Sequence, residues 1–427
     1  MMRIMPVDEF RPEEFKTLPI QAGNDIEAAV DEIIATVRRE GDQALKDYAA
    51  RFDRAQIGSV TVNEAEIEDA FAACDAPFLE TLRAARDNIE AFHRRQVRNS
   101  FVISEQEGRV MGQRVIPLRR VGLYVPGGTA SYPSSVLMNA IPPRIAGVKE
   151  IIMATPPGRD GRVNPAILCA AKLAGVTKIV KAGGAQAIAA LAYGTESVPP
   201  VDKIVGPGNI YVATAKRRVY GVVDIDMIAG PSEILVLADG ASNPSFVAAD
   251  LLSQAEHDKM SSAILITDSA DLAAAVQAEV ERQLERLPRR DIAHASIENN
   301  GKIVLVQNLE QGLAIANMIA PEHLELCVDE PFALLGRVES AGSVFLGRNA
   351  PEALGDYWAG PNHILPTSGT ARFSSPLSVD DFVKKSQFLY YSRDALAEAK
   401  DHIAAFARRE GLDGHANSVT IRFGETL

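Results

Sequence analysis

Hydrophobic positions recur with two different periods along the chain, and the change of period marks its main division. Up to about residue 112, apolar residues recur every three or four positions between charged ones, as in 24–40 and 65–98. This spacing is typical of amphipathic helices. From about residue 115, short β-rich runs alternate with helix-like stretches. The alternation predicts parallel sheets built from strand–helix–strand units.

Eight short runs are predicted as strands, and four longer stretches between them as helices. The strands are 120–125, 150–155, 178–181, 203–205, 233–237, 263–267, 302–306 and 343–346. The helices are 134–145, 164–174, 185–191 and 272–287. Turn-forming residues near 229–232 and 238–244 interrupt the series, so we expect two α/β domains rather than one large sheet.

Past about residue 366 the alternation fades and a charged, helical tail begins. The predicted fold class is therefore α/β, with two Rossmann-like parallel-sheet domains and helical N-terminal and C-terminal extensions. The expected divisions are a mainly helical region packing on the second α/β domain (1–112), an α/β domain with glycine-rich turns (113–235), a second α/β domain (236–365) and a helical tail (366–427).

Charge and cysteine content narrow the functional class. The net charge of −12 argues against a nucleic-acid partner, whose binding surface would be basic. No apolar run approaches the roughly 20 residues that span a bilayer, and the first residues lack the apolar core of a secretory signal, so we expect a cytoplasmic protein. Cys74, Cys169 and Cys327 show no CxxC spacing, so they are interpreted as reduced, buried thiols rather than disulfides or zinc ligands.

Three glycine-rich turns each follow a predicted strand, at 124–130, 181–187 and 205–211. Glycine lets the backbone approach a ligand closely, and N–H groups at the start of a helix favour phosphate. Because the three strand ends meet at one edge of a parallel sheet, the turns predict a binding crevice. The alternative stays open, since tight strand-to-helix turns need glycine anyway, and none of the three turns has the GxGxxG pattern.

A second group of residues has metal-ligand chemistry. A helix predicted to start near 243–245 carries Gln254 and His257 three positions apart, and therefore on one face. Their carbonyl and imidazole groups suit a borderline cation such as zinc. A capped helix end without metal is the alternative interpretation.

Glu322 and His323 are adjacent and precede an apolar run. Imidazole is the usual proton shuttle near neutral pH, and a neighbouring carboxylate can activate water. An exposed turn with helix-cap character is the alternative.

Two further segments place polar side chains among glycines. The loop 355–363 contains Asp356 and His363, and the tail contains Glu410 and His415. Together with the preceding residues they favour a metal site with nitrogen and oxygen ligands beside a histidine base. Spacing alone does not say which of these residues meet.

Several long motifs in a fixed order make the chain resemble the L-histidinol dehydrogenase family along nearly its whole length. They are VGLYVPGG (121–128), GGAQAIAALAYGTESVP (183–199), VDKIVGPGN (201–209), AGPSEILVLAD (229–239), DLLSQAEHD (250–258), PEHLEL (321–326), AGSVFLG (341–347), GDYWAGPNHILPTSGTARF (355–373) and HANSV (415–419).

The resemblance implies a role for each residue that matches the family pattern. One zinc ion per subunit would be held by Gln254, His257, Asp356 and His415. The catalytic acid and base would be Glu322 and His323. The substrate would be bound by Ser232, Gln254, His257, His323, Asp356, His363, Glu410 and His415. NAD would contact Tyr124, Gln186 and Asn209, one in each glycine-rich turn.

The family oxidises L-histidinol to L-histidine through L-histidinal in two NAD-dependent steps at the end of histidine biosynthesis. The resemblance also implies an intertwined homodimer with shared active sites, in which the tail 366–427 reaches the partner subunit. Small-molecule chemistry is thus expected, without nucleic acid or membrane. Three alternatives remain at this point: a related zinc dehydrogenase of another polar alcohol such as a sulfonated diol, a zinc hydrolase, and a non-catalytic two-lobed binding protein.

Overall fold

Strands and helices alternate through most of the chain, and the computed structural model describes residues 2–15, 23–127 and 131–425. The strands in this part are β1 (Arg3–Pro6), β2 (Phe101–Ile103), β3 (Arg109–Pro117), β4 (Arg120–Tyr124), β5 (Glu150–Thr155), β6 (Lys178–Lys181), β7 (Lys203–Val205), β8 (Asp224–Ile225), β9 (Glu233–Ala238), β10 (Ser262–Thr267), β11 (Lys302–Leu305), β12 (His323–Cys327), β13 (Ser343–Leu346) and β14 (Val383–Tyr391).

The α-helices in the same part of the chain fill the spaces between strands and form the N-terminal region and the tail. They are α1 (Asn24–Glu40), α2 (Asp42–Tyr48), α3 (Glu64–Ala73), α4 (Ala76–His93), α5 (Pro133–Ala146), α6 (Pro165–Ala174), α7 (Gly184–Tyr193), α8 (Ile210–Val219), α9 (Pro244–Ala255), α10 (Ala270–Leu284), α11 (Arg290–Asn300), α12 (Leu309–Ile319), α13 (Pro331–Leu335), α14 (Glu352–Tyr357), α15 (Arg393–Arg409) and α16 (Asp413–Thr420).

The first sheet has the order β6-β5-β4-β7-β8, and all its strands are parallel. Successive side chains of a strand point to opposite faces. Leu123 and Met153 therefore pack on one face with α4, α5 and α6, whereas Ile152 and Ile204 pack on the other with α1, α2 and α7. From β4, the chain adds β5 and β6 on one side and then β7 and β8 on the other, so the strand order reverses between β4 and β7. Ligands bind at the carboxyl ends of the strands at such a switch point.

The N-terminal helices differ from the expectation in two ways. They pack on this first sheet, whereas the N-terminal region was expected on the second α/β domain; β1 joins the second sheet. The predicted helical stretch 65–98 is divided, because Asp75 caps a new helix by accepting the Phe78 N–H at 2.8 Å.

The second sheet has the order β1-β11-β10-β9-β12-β13, again with parallel pairing throughout. Its switch point lies between β9 and β12. At the carboxyl ends of these strands, Arg348 forms ion pairs with Asp239 and Asp329, each at 2.5 Å. The place where sheets of this kind usually bind ligands is therefore occupied by an ion-pair cluster.

The contacts divide the chain into two units. The first comprises Met1–Gln96 and Leu118–Phe382 and contains both parallel sheets. The second comprises Val97–Pro117 and Val383–Leu427. The second unit contains an antiparallel sheet of order β14-β3-β2. It also contains α15 and α16, which pack against each other through Ala404, Ala407 and Ala416.

The prediction of an α/β fold with two parallel sheets and helical extensions is confirmed, and each of the eight predicted strands has a counterpart. The pattern did not predict β1, β8, β12 or the antiparallel sheet of the second unit. Among the described residues, no helix is both long enough and apolar enough to traverse a bilayer.

Candidate functional site

His323 opens β12 at the amino edge of the second sheet, where a central strand buries it almost completely. Its Nδ1 lies 2.9 Å from the carbonyl oxygen of Glu233, the first residue of β9. Because a carbonyl can only accept, Nδ1 carries the hydrogen and Nε2 presents a lone pair. Burial lowers the pKa of His323 to about 4, so its imidazole is neutral at physiological pH. The structure thus presents a buried proton acceptor rather than an exposed turn.

Glu322 forms a carboxyl pair with Glu233. Its Oε2 accepts the Glu233 backbone N–H at 2.9 Å and lies 3.7 Å from Nδ1 of His323. Burial, reinforced by the neighbouring Glu233 carboxylate, raises the pKa of Glu322 well above its usual value. Burial also raises the pKa of Glu233 to about 7, although Glu233 accepts the Ser368 N–H at 2.8 Å. Sequence reasoning missed Glu233, whose one signal is its place after Ser232 in the AGPSEILVLAD motif.

Asp356 and His363 lie on and just after α14. The Asp356 Oδ1 is 3.5 Å from Nδ1 of His363, and the Nε2 of His363 is 3.3 Å from the Ser135 hydroxyl. Burial alone would raise the pKa of Asp356, but the charge of His363 and its hydrogen bond outweigh burial and hold this pKa below its usual range. Asp356 is therefore a carboxylate available to a cation.

Gln254 and His257 stand at the carboxyl end of α9, whose start is capped by Asn243 as the sequence predicts. Both side-chain amide atoms of Gln254 are buried, and neither has a hydrogen-bond partner among the residues that the structure describes. His257 keeps part of its surface exposed, yet desolvation lowers its pKa against the opposing effect of the nearby Asp356 carboxylate. The negative end of the helix dipole also favours a cation here.

Glu352 adds a carboxylate that the sequence analysis did not single out. One ligand atom each from His323, Glu352 and Asp356 lies within 4.8 Å of the other two. Burial raises the pKa of Glu352, and the adjacent Asp356 carboxylate adds to this effect. Glu352 also accepts the Ser253 hydroxyl at 3.2 Å.

The donor set at this edge fits a zinc ion. Zinc accepts imidazole nitrogen and carboxylate oxygen, and hard or borderline cations also accept amide carbonyl oxygen. The unpartnered amide of Gln254 is the strongest indication, because a buried polar group without a partner is costly unless a ligand satisfies it.

Tyr124, Gln186 and Asn209 all line one cavity of about 1340 Å³ at the carboxyl edge of the first sheet. Tyr124 ends β4, and its hydroxyl accepts the Gly184 N–H at 3.0 Å. Burial raises the pKa of Tyr124 to about 12, so the phenol stays neutral. Gln186 is buried near the start of α7, and Asn209 caps α8. The three glycine-rich turns thus open onto one volume of the size that a dinucleotide needs; of the turn 124–130, residues 128–130 lie outside the described part of the chain.

The turn after β7 approaches β4 closely. Gly206 has φ +114°, and a Cβ at this position would overlap the Tyr124 carbonyl oxygen. Its N–H donates to Asp226 at 2.8 Å, and Asp226 is paired with the buried Lys216. This internal ion pair holds the turn that carries Asn209.

A smaller cavity of about 410 Å³ is lined by His257 and Asp356. Ser131 lines both this cavity and the larger one. The polar cluster on the second sheet therefore adjoins the crevice on the first sheet.

Seven of the predicted site residues belong to the first unit: Ser232, Gln254, His257, Glu322, His323, Asp356 and His363. Ser232 directly precedes β9, and its carbonyl accepts the Ser262 N–H at 3.0 Å. Glu410 and His415 belong to the second unit, where Glu410 ends α15 and the His415 N–H donates to the Leu412 carbonyl at 3.0 Å.

Comparisons with known proteins agree over most of the chain. A sequence model of the family described as histidinol dehydrogenase matches residues 18–423. A histidinol dehydrogenase of Geobacillus kaustophilus is 59% identical over 394 residues, covering 92% of this chain and 93% of that protein. One of Clostridium acetobutylicum is 56% identical over 391 residues, covering 92% and 91%. The crystal structure of histidinol dehydrogenase from Elizabethkingia anophelis superposes with a TM-score of 0.93 at 39% identity, covering 99% of this chain and 98% of that one.

Proposed function

The chain belongs to the histidinol dehydrogenase family, and we propose that the site at the amino edge of its second sheet carries out this family's reaction. The enzyme oxidises L-histidinol to L-histidine through L-histidinal, in two NAD-dependent steps at the end of histidine biosynthesis. The observation that carries the assignment of residues is the neutral, buried His323, which lies beside Glu322 and clusters with Asp356. Asp356 in turn lines the smaller cavity, which shares Ser131 with the large crevice.

Zinc is proposed to be held by Gln254, His257, Asp356 and His415. A zinc ion held by these residues would supply a positive centre that orients a substrate with nitrogen donors such as L-histidinol. The unpartnered Gln254 amide and the ionised Asp356 support this ligand set. Ser232, His363 and Glu410 are proposed to bind the rest of the substrate, with Glu410 as the carboxylate that pairs with its imidazole.

The first oxidation needs a base for the alcohol proton. Nε2 of His323 carries a lone pair, because Nδ1 donates to the Glu233 carbonyl. We assign Nε2 as the acceptor of this proton as the carbinol hydrogen leaves as hydride for NAD⁺, bound by Tyr124, Gln186 and Asn209. The Asp356 carboxylate lies close enough to stabilise the positive charge that His323 gains.

The second oxidation needs a water molecule added to the aldehyde. Glu322 is proposed to take a proton from this water, which gives the hydrated aldehyde from which the second hydride leaves. Its raised pKa makes the carboxylate a stronger base than an exposed glutamate. The same buried environment excludes bulk water from the pair.

A homodimer with shared sites is proposed for the quaternary structure, with Glu410 and His415 donated by the tail to the partner's site. Mixing His415→Ala chains with His323→Ala chains tests this arrangement. Regained activity in the mixed dimer supports donation between subunits, because one site then contains both histidines. Persistent inactivity of the mixture contradicts donation between subunits.

The cytoplasm is the proposed location, and the free cysteines Cys74, Cys169 and Cys327 are usual for a protein of that compartment.

The assay for the proposed function follows NADH absorbance with L-histidinol and NAD⁺, before and after treatment with a chelator. We expect NADH formation that the chelator abolishes and added zinc restores. Turnover of a sulfonated diol without turnover of L-histidinol would assign the related alcohol dehydrogenase instead. Absence of NADH with either alcohol would contradict a dehydrogenase.

A matched pair of variants tests the metal ligands. Gln254→Ala is expected to lower the zinc content of the purified protein, because it removes the amide oxygen. Gln283→Ala serves as control, since the Gln283 amide donates to the Ser245 carbonyl at 2.9 Å on the outer helices. Equal zinc content in both variants would refute the role of Gln254.

A further inference from the structure

The first sheet lacks the acidic residue that its topology normally supplies to a dinucleotide. In sheets of this order, a carboxylate at the carboxyl end of the second strand hydrogen-bonds a ribose hydroxyl of the cofactor. The corresponding strand here is β5, which ends at Thr155 and is followed by Pro156 and Pro157. Its one carboxylate, Glu150, lies at the opposite end and pairs with Arg120 at 2.8 Å.

Asp53 lies at the border of the large cavity, although it comes from the N-terminal region. It ends the π-helical turn Ala49–Asp53 that follows α2, and Arg54 then turns the chain with φ +57°. Asp53 and Tyr124 line the same cavity, and the Asp53 carboxylate is near enough to raise the pKa of the Tyr124 phenol. Asp53 therefore stands near the carboxyl end of β4, the central strand of the sheet.

The carboxylate of Asp53 has an unsatisfied oxygen. Its Oδ2 is buried and has no hydrogen-bond partner in the described ranges of the chain. The other carboxylates around this cavity are engaged. Glu66 pairs with Lys181 at 2.5 Å, Asp69 pairs with Arg162 at 3.4 Å, and Asp160 accepts the Arg162 N–H at 3.0 Å. An unpartnered buried acceptor facing a ligand cavity points to a donor on the ligand.

We propose that Asp53 accepts a hydrogen bond from the 2′-hydroxyl of the adenosine ribose of NAD⁺ and thereby selects NAD⁺ against NADP⁺. A ribose hydroxyl supplies the donor that Oδ2 lacks. A 2′-phosphate has no hydroxyl to donate and would place like charges together in a partly buried site. The inference rests on the proposed function, because it assumes that the cavity binds NAD⁺.

Direct binding measurements by isothermal titration calorimetry, without substrate, test the role of Asp53. The titrants are NAD⁺, 2′-deoxy-NAD⁺ and NADP⁺. For the wild-type enzyme we expect NAD⁺ to bind roughly 10- to 100-fold more tightly than the 2′-deoxy analogue, as for a hydrogen bond to a charged group. NADP⁺ should bind more weakly still. Wild-type enzyme that binds NAD⁺ and the 2′-deoxy analogue equally would overturn the inference without any variant.

The variant Asp53→Asn keeps the shape of the side chain and removes its charge. Its dissociation constant for NAD⁺ should rise roughly 10-fold or more, while that for 2′-deoxy-NAD⁺ stays unchanged and the preference over NADP⁺ narrows. Asp69→Asn is the matched control, since its carboxylate borders the same cavity but faces Arg162. Equal loss of affinity for NAD⁺ and for the 2′-deoxy analogue in Asp53→Asn would show a merely structural role and refute the proposal.

The measurements distinguish an incorrect role for Asp53 from an incorrect function for the enzyme. If wild-type enzyme forms NADH from L-histidinol but shows no dependence on the 2′-hydroxyl, only the role of Asp53 is refuted. If the wild-type enzyme neither binds NAD⁺ nor forms NADH, the proposed function is refuted as well.

Discussion

Substituting asparagine for His323 removes the proton acceptor while keeping a donor for the hydrogen bond that orients the side chain. The amide N–H of asparagine can replace Nδ1–H toward the Glu233 carbonyl, but no lone pair replaces Nε2. Because the pKa of His323 is about 4, nearly every wild-type molecule carries the base form at neutral pH. The variant therefore loses the whole contribution of the base, roughly 10²- to 10⁴-fold in kcat. This factor equals about 3–5 kcal/mol of transition-state stabilisation.

The same variant distinguishes two metal arrangements. His323 is one of three residues whose ligand atoms lie within 4.8 Å of one another, the others being Glu352 and Asp356. If zinc is held by Gln254, His257, Asp356 and His415, the His323→Asn variant retains its zinc. If the metal needs His323, the variant loses its zinc.

The assay combines NADH absorbance, with L-histidinol and with L-histidinal as substrates, and elemental analysis of zinc. A control, His294→Asn, changes an exposed histidine that faces Glu298 at 3.6 Å on α11. Loss of zinc together with loss of turnover, or turnover equal to that of the control, would refute the role of His323 as base.

Three further predictions concern the carboxyl pair, the cofactor turn and the core. Glu233→Gln removes the charge that helps raise the pKa of Glu322, so the acid limb of the pH profile for L-histidinal oxidation should move to lower pH. An unchanged acid limb would contradict the effect of the Glu233 charge on the pKa of Glu322. Gly206→Ala should weaken NAD⁺ binding, measured by calorimetry, at least about 10-fold, because the added Cβ overlaps the Tyr124 carbonyl oxygen and the backbone has a left-handed φ. Unchanged affinity would show that the turn can shift to make room for the Cβ. Phe382→Ala leaves a cavity at a fully buried site and should lower the free energy of unfolding, measured by urea titration, by about 3–5 kcal/mol. A loss under about 1 kcal/mol would mean that the neighbouring side chains fill the space left by the smaller residue.

Strand–helix alternation was enough to predict most of both parallel sheets, because fully buried strands are continuous apolar runs with turn residues at their ends. The segment from His323 to Cys327 was missed as a strand, since His323 and Glu325 interrupt its apolar residues. The pairing of β14 with β3 was also missed. The two strands are far apart in the chain, and most residues of β14 are exposed. The sequence of β14 therefore shows neither a periodic alternation of apolar and polar residues nor a continuous apolar run.

The candidate site, like the fold, was only partly predictable from the sequence. Gln254 and His257 share a helix face, so their spacing alone brought them together. Glu233, Glu352 and Asp53 acquire their positions only through the fold: one starts a neighbouring strand, one starts a short helix, and one arrives from the N-terminal region. Motifs within one segment report local geometry, whereas contacts between segments need the three-dimensional structure.

The ion pairs of Arg348 with Asp239 and Asp329 bear on how this scaffold can be engineered. They close the carboxyl edge of the second sheet, while the proposed chemistry takes place at its amino edge. Affinity tags, reporter inserts or crosslinking handles placed at Gly240 and Ala241, exposed residues of the loop after β9, would therefore sit a full strand length away from His323. Such a loop offers an attachment point for immobilised enzyme or for a biosensor in which the catalytic edge remains open to substrate.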